Sequence, residues 1–521
     1  MRKVLPRFAV AIVALGCICA GLWQLEWERT GLTIEEFLVG ETPVTVYRRM
    51  EGESAPAVLI AHGFAGSRQL MEAYALTLAR AGYVSVSFDF EGHGRNPKPM
   101  SGDLTSVTGT TQLLMRELKR VTDFALTLPG VEEPVAFLGH SMASDILVRQ
   151  ALVDPRVAAT VAISMFSEAV TASEPRNLLI ITGEWEPALR EDALRNARLA
   201  DSAATEGVTI GDPLAGSGRR IAVAPTVEHI CVLYSATALR EARAWLDAVF
   251  DRESSGAVAA TGVAIVLLLG GIVMLAWPLS GLLPPGREAP SAVPLGTFLI
   301  AAFVPALLTP FVLSVVDTRY MSVLVADYLA AHLFVYGGIS LGILKARGVR
   351  LGHVAWFSAF ALAAYGILVF GGALDRYVAS FWPIESRLWI IAIVAVGALP
   401  YMLSDSLLTE GGRARLWRMF TARSAFIVSL GAAVSLDFER LFFLVIIIPV
   451  IILFFVIFGL MGAWVGRKTG SPAAVGLALG LLLAWAIGVS FPMFEADRAK
   501  PPDSAIDQQF SPKTASSAVA E

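Results

Sequence analysis

Charge is scarce in this sequence: Asp, Glu, Lys and Arg make up only 17% of its 521 residues, where a soluble domain carries about 25%. That shortage argues against a wholly soluble protein. The two signs nearly cancel, 41 basic against 45 acidic residues for a formal charge of -4, so neither a nucleic-acid-binding surface nor an acid-rich disordered chain is expected. Cysteine is rarer still. Cys17, Cys19 and Cys231 have no metal-ligand spacing, and the first two lie inside an apolar run, so neither a disulfide nor a zinc site is expected. Only six histidines are available for acid–base chemistry.

Apolar residues are what the chain has in excess, 55% of the total, gathered mostly after residue 256 in long blocks. Spans are expected at about Ala257–Leu279, Val293–Val316, Met321–Leu344, Val354–Gly372, Leu388–Leu408, Ser424–Leu436, Leu441–Val465 and Ala473–Met493. All but the short Ser424–Leu436 run are about long enough to cross a hydrocarbon core of roughly 30 Å at about 1.5 Å per residue. At the other end, Arg2, Lys3 and Arg7 precede an apolar stretch from Phe8 to Trp23, which reads as a signal or, preferably, as an uncleaved anchor. The expected organisation is a signal anchor or signal peptide over 1–30, an α/β domain over 31–252, a polytopic domain of about eight helices over 253–495, and a disordered polar tail over 496–521.

Within 31–252, short β-rich runs alternate with amphipathic stretches. Strands are expected at Val44–Arg48, Ala57–Ala61, Val84–Phe88, Val135–Leu138, Val157–Ile163, Leu178–Thr182 and Arg220–Val223, and helices at Gln69–Ala81, Thr110–Leu128, Ala143–Val153, Pro187–Ala203 and Ala236–Phe250. Apolar strands separated by helices imply a doubly wound, mostly parallel sheet with ligands at the carboxyl ends of its strands.

The run Val135 to Ala143 reads as strand, tight turn and helix with Ser141 at the apex, and Gly139 and Ala143 leave room for the turn. Upstream, a strand ends in His62-Gly63-Phe64, so the N–H groups of Phe64 and Met142 form a natural pair of oxyanion donors. A serine hydroxyl needs a base, and the base needs an orienting acid. After Ser141 the α/β domain offers one histidine, His229. For the acid, Gly183-Glu184-Trp185-Glu186 presents two carboxylates; Glu186 is preferred and Glu184 remains open.

These residues resemble the α/β-hydrolase superfamily, in particular the serine-hydrolase branch of monoacylglycerol lipases, serine aminopeptidases and dienelactone-hydrolase-like enzymes, over roughly residues 40 to 250. The resemblance includes the His62-Gly63-Phe64 turn, the Asp89 to Gly94 loop, the Gly139 to Ala143 elbow, the Gly183 to Glu186 acid loop and His229 before a closing helix. It implies a Ser141–His229–Glu186 triad, no cofactor, and structural roles for Asp89 and His93. Glu in place of the commoner Asp, and Ala143 in place of Gly, are tolerable departures. Only Met165 to Arg176 stands where relatives insert a cap, so an open pocket is expected, shaped by nearby loops and by the membrane half.

The expected function is therefore a membrane-anchored serine hydrolase acting on a small-molecule, lipid or envelope-derived acyl substrate. An acyltransferase, and a transporter or sensor with a ligand-binding hydrolase-like domain, are the alternatives. Lys345, Arg347 and Arg350, then Arg413, Arg415, Arg418 and Arg423, then Arg467 and Lys468 fall on one side, against the poorer Arg319, Arg376, Arg387 and Arg440 on the other. That bias puts the α/β domain outside a bacterial-type plasma membrane. Asp327, His332 and Asp405 within the spans are read as polar packing or interfacial exposure, with a conduction or acyl-transfer role as the alternative.

Overall fold

The computed structural model describes residues 4–51, 53–101, 107–286, 290–316, 318 and 326–495. Arg2, Lys3, Arg319, the start of the span expected from Met321, and the expected tail over 496–521 lie outside the described residues.

Among the described residues, a nine-stranded sheet, its strands numbered in chain order, runs β1-β2-β4-β3-β5-β6-β7-β9-β8. Its parallel centre comprises β3 (Ala55–Ala61), β4 (Val84–Phe88), β5 (Val131–His140), β6 (Val157–Ile163), β7 (Leu178–Gly183) and β9 (Arg219–Ala224). These strands are almost continuously apolar because both faces are covered. On one face α2 (Glu72–Arg80) and α6 (Ala236–Val249) pack around Tyr74, Leu78, Leu239 and Trp245; on the other, α3 (Gln112–Ala125) and α4 (Met142–Ala151) pack around Leu118, Phe137 and Leu147. The remaining helix of this layer, α5 (Pro187–Arg198), covers Ile180 and Ile221.

The two edges supply the antiparallel part of the mostly parallel sheet. Strand β1 (Leu32–Val39) pairs antiparallel with β2 (Thr42–Arg49), which pairs antiparallel with β4, and the two-residue β8 (Thr209–Ile210) closes the other side antiparallel to β9. β1 was illegible because its register is held by β2 rather than by a buried face. Glu35, Glu36 and the exposed Leu38 interrupt any apolar run.

Among the described residues, nine helices are long and apolar enough to cross a membrane. They are α1 (Val4–Trp27), α7 (Thr261–Ser280), α8 (Leu295–Ser314), α9 (Ala326–Ala346), a span formed by α10 (Trp356–Ala364), a π-helical turn and α11 (Gly371–Tyr377), then α12 (Glu385–Leu408), α13 (Leu416–Leu436), α14 (Phe438–Thr469) and α15 (Pro472–Ser490). α1 lies along α7 at small residues. A Cβ on Gly21 would stand 2.7 Å from the Ala264 carbonyl oxygen, and one on Gly271 2.9 Å from that of Ala14. This close backbone approach is the way apolar helices gain packing energy where burial from water gives none.

The short Ser424–Leu436 span is corrected to a helix of 21 residues, Leu416–Leu436, about 31 Å long. Arg418 and Arg423, read as loop charges, belong to it. Arg423 pairs with Asp405 at 3.3 Å, and Arg418 reaches Glu410 at 3.2 Å and the Val293 carbonyl at 2.8 Å, so both guanidiniums are compensated inside the helix bundle. Arg387, also read as a loop charge, is buried at the start of α12 and donates to the carbonyls of Gly488, Phe491 and Gly92. His332 is wholly buried among Tyr328, Tyr336 and Phe426 and bonds Ser429 at 3.1 Å.

The carboxyl ends of the parallel strands rest on the bundle. After β3, the hydroxyl of Ser67 accepts from the Ser380 N–H at 3.1 Å, and Gln69 donates to the Asp375 carbonyl at 3.3 Å. After β4, Arg95 pairs with Asp375 at 2.5 Å, Gly92 accepts from Arg387, and Met100 bridges to Phe494. The helix ends at Trp27, Thr261, Tyr377, Glu385, Phe438 and Ser490 therefore share the side on which the α/β domain sits. Lys345, Arg347, Arg350, Arg413 and Arg415 lie at the opposite ends of their spans.

Candidate active site

Four strands deliver the candidate residues to one place. β5 ends at His140, and Ser141 follows with φ 53° and ψ -118° before α4 begins at Met142. Positive φ is costly for a residue with a side chain, and it is held here by neighbours on all sides. The Ser141 N–H donates to the Ile163 carbonyl at 2.8 Å, and its own carbonyl accepts from the Ser144 hydroxyl at 2.6 Å. The sharp turn needs glycine at 139, because a Cβ there would lie 2.5 Å from Leu147 and 3.0 Å from the Ala143 Cβ.

β9 leads to His229 and β7 to Glu186. The hydroxyl of Ser141 lies 2.9 Å from His229 Nε2, and His229 Nδ1 lies 2.6 Å from Glu186 Oε1. Since a carboxylate only accepts, Nδ1 carries the proton toward Glu186 and Nε2 is left to accept from the serine hydroxyl. The other carboxylate oxygen, Oε2, accepts from the Gly183 N–H at 2.6 Å and the Ser164 hydroxyl at 2.8 Å. Burial alone would raise the Glu186 carboxyl, but hydrogen bonds from His229, Gly183 and Ser164 outweigh it and hold the group below its ordinary value. Glu184, left open by the sequence, is exposed and accepts instead from the Thr226 N–H at 2.7 Å. It braces the histidine loop from outside.

β3 brings the turn His62-Gly63-Phe64 against the elbow. A Cβ on Gly63 would fall 3.0 Å from the Ser141 Cβ and 2.9 Å from His140 Nδ1, so only glycine lets the Phe64 peptide lie beside the serine. Met142, the other expected oxyanion donor, is the first residue of α4, where an N–H has no intrahelical acceptor. Asp89 accepts from the Arg68 N–H and guanidinium and from the Arg95 N–H, tying the loops after β3 and β4 together. His93 bonds the Glu91 carbonyl at 3.1 Å and packs against His62 and Phe64.

Three bonding roles around the site escaped the sequence reading. Ser164, also at positive φ, donates to Glu186. His140, inside the elbow, donates from Nε2 to the His229 carbonyl at 2.8 Å. His62 bonds the Gly63 carbonyl through Nδ1 at 2.8 Å and accepts the Phe90 N–H on Nε2 at 3.1 Å. A histidine next to the elbow serine was a visible signal; Ser164 gave none, since its partner is 22 residues away.

Burial lowers His62, His93 and His140, the last held down to about 3 by burial and by His229. The unfolded chain protonates all three near pH 6.5, so each withdraws up to about 1.4 kcal/mol of stability per pH unit on acidification from that point down to its own folded value. Glu117, pushed up to about 7 by burial, and Glu72, pushed up to about 6 likewise, are protonated in the folded state first and offset part of this loss down to their unfolded value of 4.5. Below 4.5 the offset ends, and the depressed Glu186 adds to the loss as pH falls through its folded value. The thermal midpoint of the α/β domain should thus decline gently from pH 6.5 to 4.5 and steeply below, as read by tryptophan fluorescence. A midpoint rising over that range would contradict these protonation states.

Residues 52–197 match the family model described as Serine aminopeptidase, S33. Among solved structures, a protein titled VrEH2 is 22% identical over 26% of this chain and 40% of its own, with a TM-score of 0.21. A dienelactone hydrolase from Anabaena variabilis is 18% identical over 41% of this chain and 96% of its own, with a TM-score of 0.29. TT1662 from Thermus thermophilus is 19% identical over 43% and 99%, with a TM-score of 0.30. The chain thus spans less than half of the first and nearly all of the other two. No curated protein matches the chain. The family match over residues 52–197 and the mostly parallel sheet give this chain an α/β-hydrolase-type domain, and the nine long apolar helices among the described residues fit a multi-pass, all-helical membrane part.

Proposed function

We propose that the protein is a membrane-anchored serine hydrolase that cleaves an ester or related acyl bond. The observation that carries this reading is the unbroken chain of hydrogen bonds from Ser141 through His229 to Glu186. Ser141 attacks the acyl carbonyl while His229 Nε2 takes its proton; the N–H groups of Phe64 and Met142 stabilise the oxyanion. His229 then protonates the leaving group, and water repeats the sequence to release the acid. Glu186 stays ionised throughout and holds the imidazole in the required tautomer. A fluorophosphonate probe applied to membranes should label Ser141, read by mass mapping of the modified peptide. Labelling confined to other serines would sink the assignment.

The membrane is a bacterial-type plasma membrane, α1 is a retained anchor, and the α/β domain faces away from the cytoplasm. Exposed Lys345, Arg347, Arg350, Arg413 and Arg415 at the bundle end opposite that domain support this orientation. Cysteines at Ser54 and Arg413, both exposed, report it; Gly411 is unsuitable, being buried at φ 61°. A membrane-impermeant thiol reagent on intact cells, with any outer membrane permeabilised and the exposed native Cys231 replaced, should modify the first alone. Modification of Arg413→Cys alone would invert the topology.

A further inference from the structure

The hydrolase domain carries almost no cap of its own, yet the oxyanion turn is not open to water on all sides. The ring of Phe64 stacks on Phe443 of α14, with centroids 4.6 Å apart and planes 25° from parallel. Phe443 meets Phe442 at 5.7 Å, and Phe442 meets Phe438 at 5.5 Å. Phe64 is half-buried, whereas Phe442 and Phe438 are 43% and 58% exposed on the outside of the bundle. Beside them Val445 and Ile446 are also exposed. A continuous apolar surface therefore runs from the outer wall of the membrane domain to the residue after Gly63, which packs on Ser141.

Its depth is set by the length of α14. Thirty-two residues make a helix about 48 Å long, while the hydrocarbon core takes roughly 20 residues. Counted from Arg467 at the inner end, the core ends near Ile447, so Phe443 and Phe442 stand roughly 6–8 Å above it, in the interfacial layer, and Phe438 stands further out, toward water. Asp437, Glu439 and Arg440 in the same turns fit that layer and not the core. The ester groups of acyl lipids occupy the same layer, with their chains directed inward.

We propose that the Phe438–Phe442–Phe443 face of α14 and Phe64 form a lateral path by which the acyl chain of a bilayer-resident lipid reaches Ser141, the membrane domain supplying the cap that the hydrolase domain lacks. This rests on Ser141 being the nucleophile. Hydrocarbon lies along the phenyl faces with its ester carbonyl at the Phe64 and Met142 N–H groups, and the leaving group departs past the loops carrying Phe166, Trp185 and Ile230. Those three side chains are also exposed, and they define the rival entrance, over the aqueous rim.

The test uses the full chain in vesicles of phosphatidylethanolamine and phosphatidylglycerol, with a hexadecyl fluorophosphonate bearing a mid-chain diazirine. After Ser141 has reacted, illumination should cross-link the chain to Phe64 or to residues 438–446. Ser141 modified but cross-linked only to the loops of Phe166, Trp185 and Ile230 overturns the path and leaves the nucleophile standing. Absence of reaction at Ser141 overturns the nucleophile and the path with it. In parallel, the ratio of kcat/KM for p-nitrophenyl palmitate to that for p-nitrophenyl acetate should fall tenfold or more in Phe443→Asp and severalfold in Phe442→Ala, with short-chain fluorophosphonate labelling confirming the fold. An unchanged ratio in both variants overturns the proposal.

Discussion

Ser141→Ala should lower ester turnover by a thousandfold or more and abolish fluorophosphonate labelling, and His229→Ala should cost nearly as much. Each change removes half of one proton-transfer unit: without His229 Nε2 at 2.9 Å the hydroxyl keeps its proton, and without the hydroxyl the imidazole has nothing to activate. Because the two act together, the double variant should be no worse than either single one, with the oxyanion donors accounting for the remainder. kcat and KM of all three against p-nitrophenyl acetate decide the matter. Losses that multiply in the double variant would mean that the two residues work independently. His93→Ala, by contrast, should act through stability, since its ring bonds the Glu91 carbonyl and packs on Phe64.

The sheet and the elbow were legible because local pattern and burial agree there. Val84–Phe88 and Val157–Ile163 are bounded in the structure as the apolar runs suggested, and the step from Gly139 to Ala143 carries its own steric signature. The spans were legible for the same reason, except where charge is compensated at a distance. Arg423 hid the first turns of α13, since its partner Asp405 lies 18 positions earlier on another helix, and Arg387 looked like a loop cation because its acceptors are carbonyls of Gly92, Gly488 and Phe491. Local reading cannot see such pairs. The same limit hid the contact of Phe64 with Phe443, two residues whose neighbourhood is created only when the strand ends settle on the bundle.

That settling also explains why a chain with so little charge places ion pairs where it does. Asp375 receives Arg95, the N–H groups of Phe381 and Trp382, and through its carbonyl Gln69; Glu28 at the end of α1 receives Arg80 and the Ala260 N–H. Both carboxylates stand at the boundary between the two domains, where partial burial strengthens a pair and remaining water limits the desolvation cost. The hydrolase domain is thereby oriented with its strand ends, and so Ser141, toward the bundle. Orientation at this boundary is what turns a soluble-type fold into one that meets a membrane.

Glu186→Gln should reduce kcat by three to four orders of magnitude, while Glu184→Gln should change it no more than severalfold. Glu186 uses both oxygens as acceptors, Oε1 from His229 Nδ1 and Oε2 from Gly183 and Ser164. An amide has one oxygen. If that oxygen stays with Gly183 and Ser164, the amide nitrogen faces Nδ1 and the imidazole must shift its proton to Nε2, where it points at the serine and cannot accept. If the oxygen turns to Nδ1, the amide N–H groups face the buried Gly183 N–H, and the loop is strained. Either way the negative charge that stabilises the imidazolium is gone, which is the larger part of the loss. Glu184 loses much less, because its amide oxygen can still accept from Thr226 on an exposed loop. Thermal midpoints measured alongside kcat separate the two outcomes from unfolding: a folded Glu184→Gln without activity beside an active Glu186→Gln would transfer the orienting role to Glu184 and leave the 2.6 Å bond to His229 without a part in turnover.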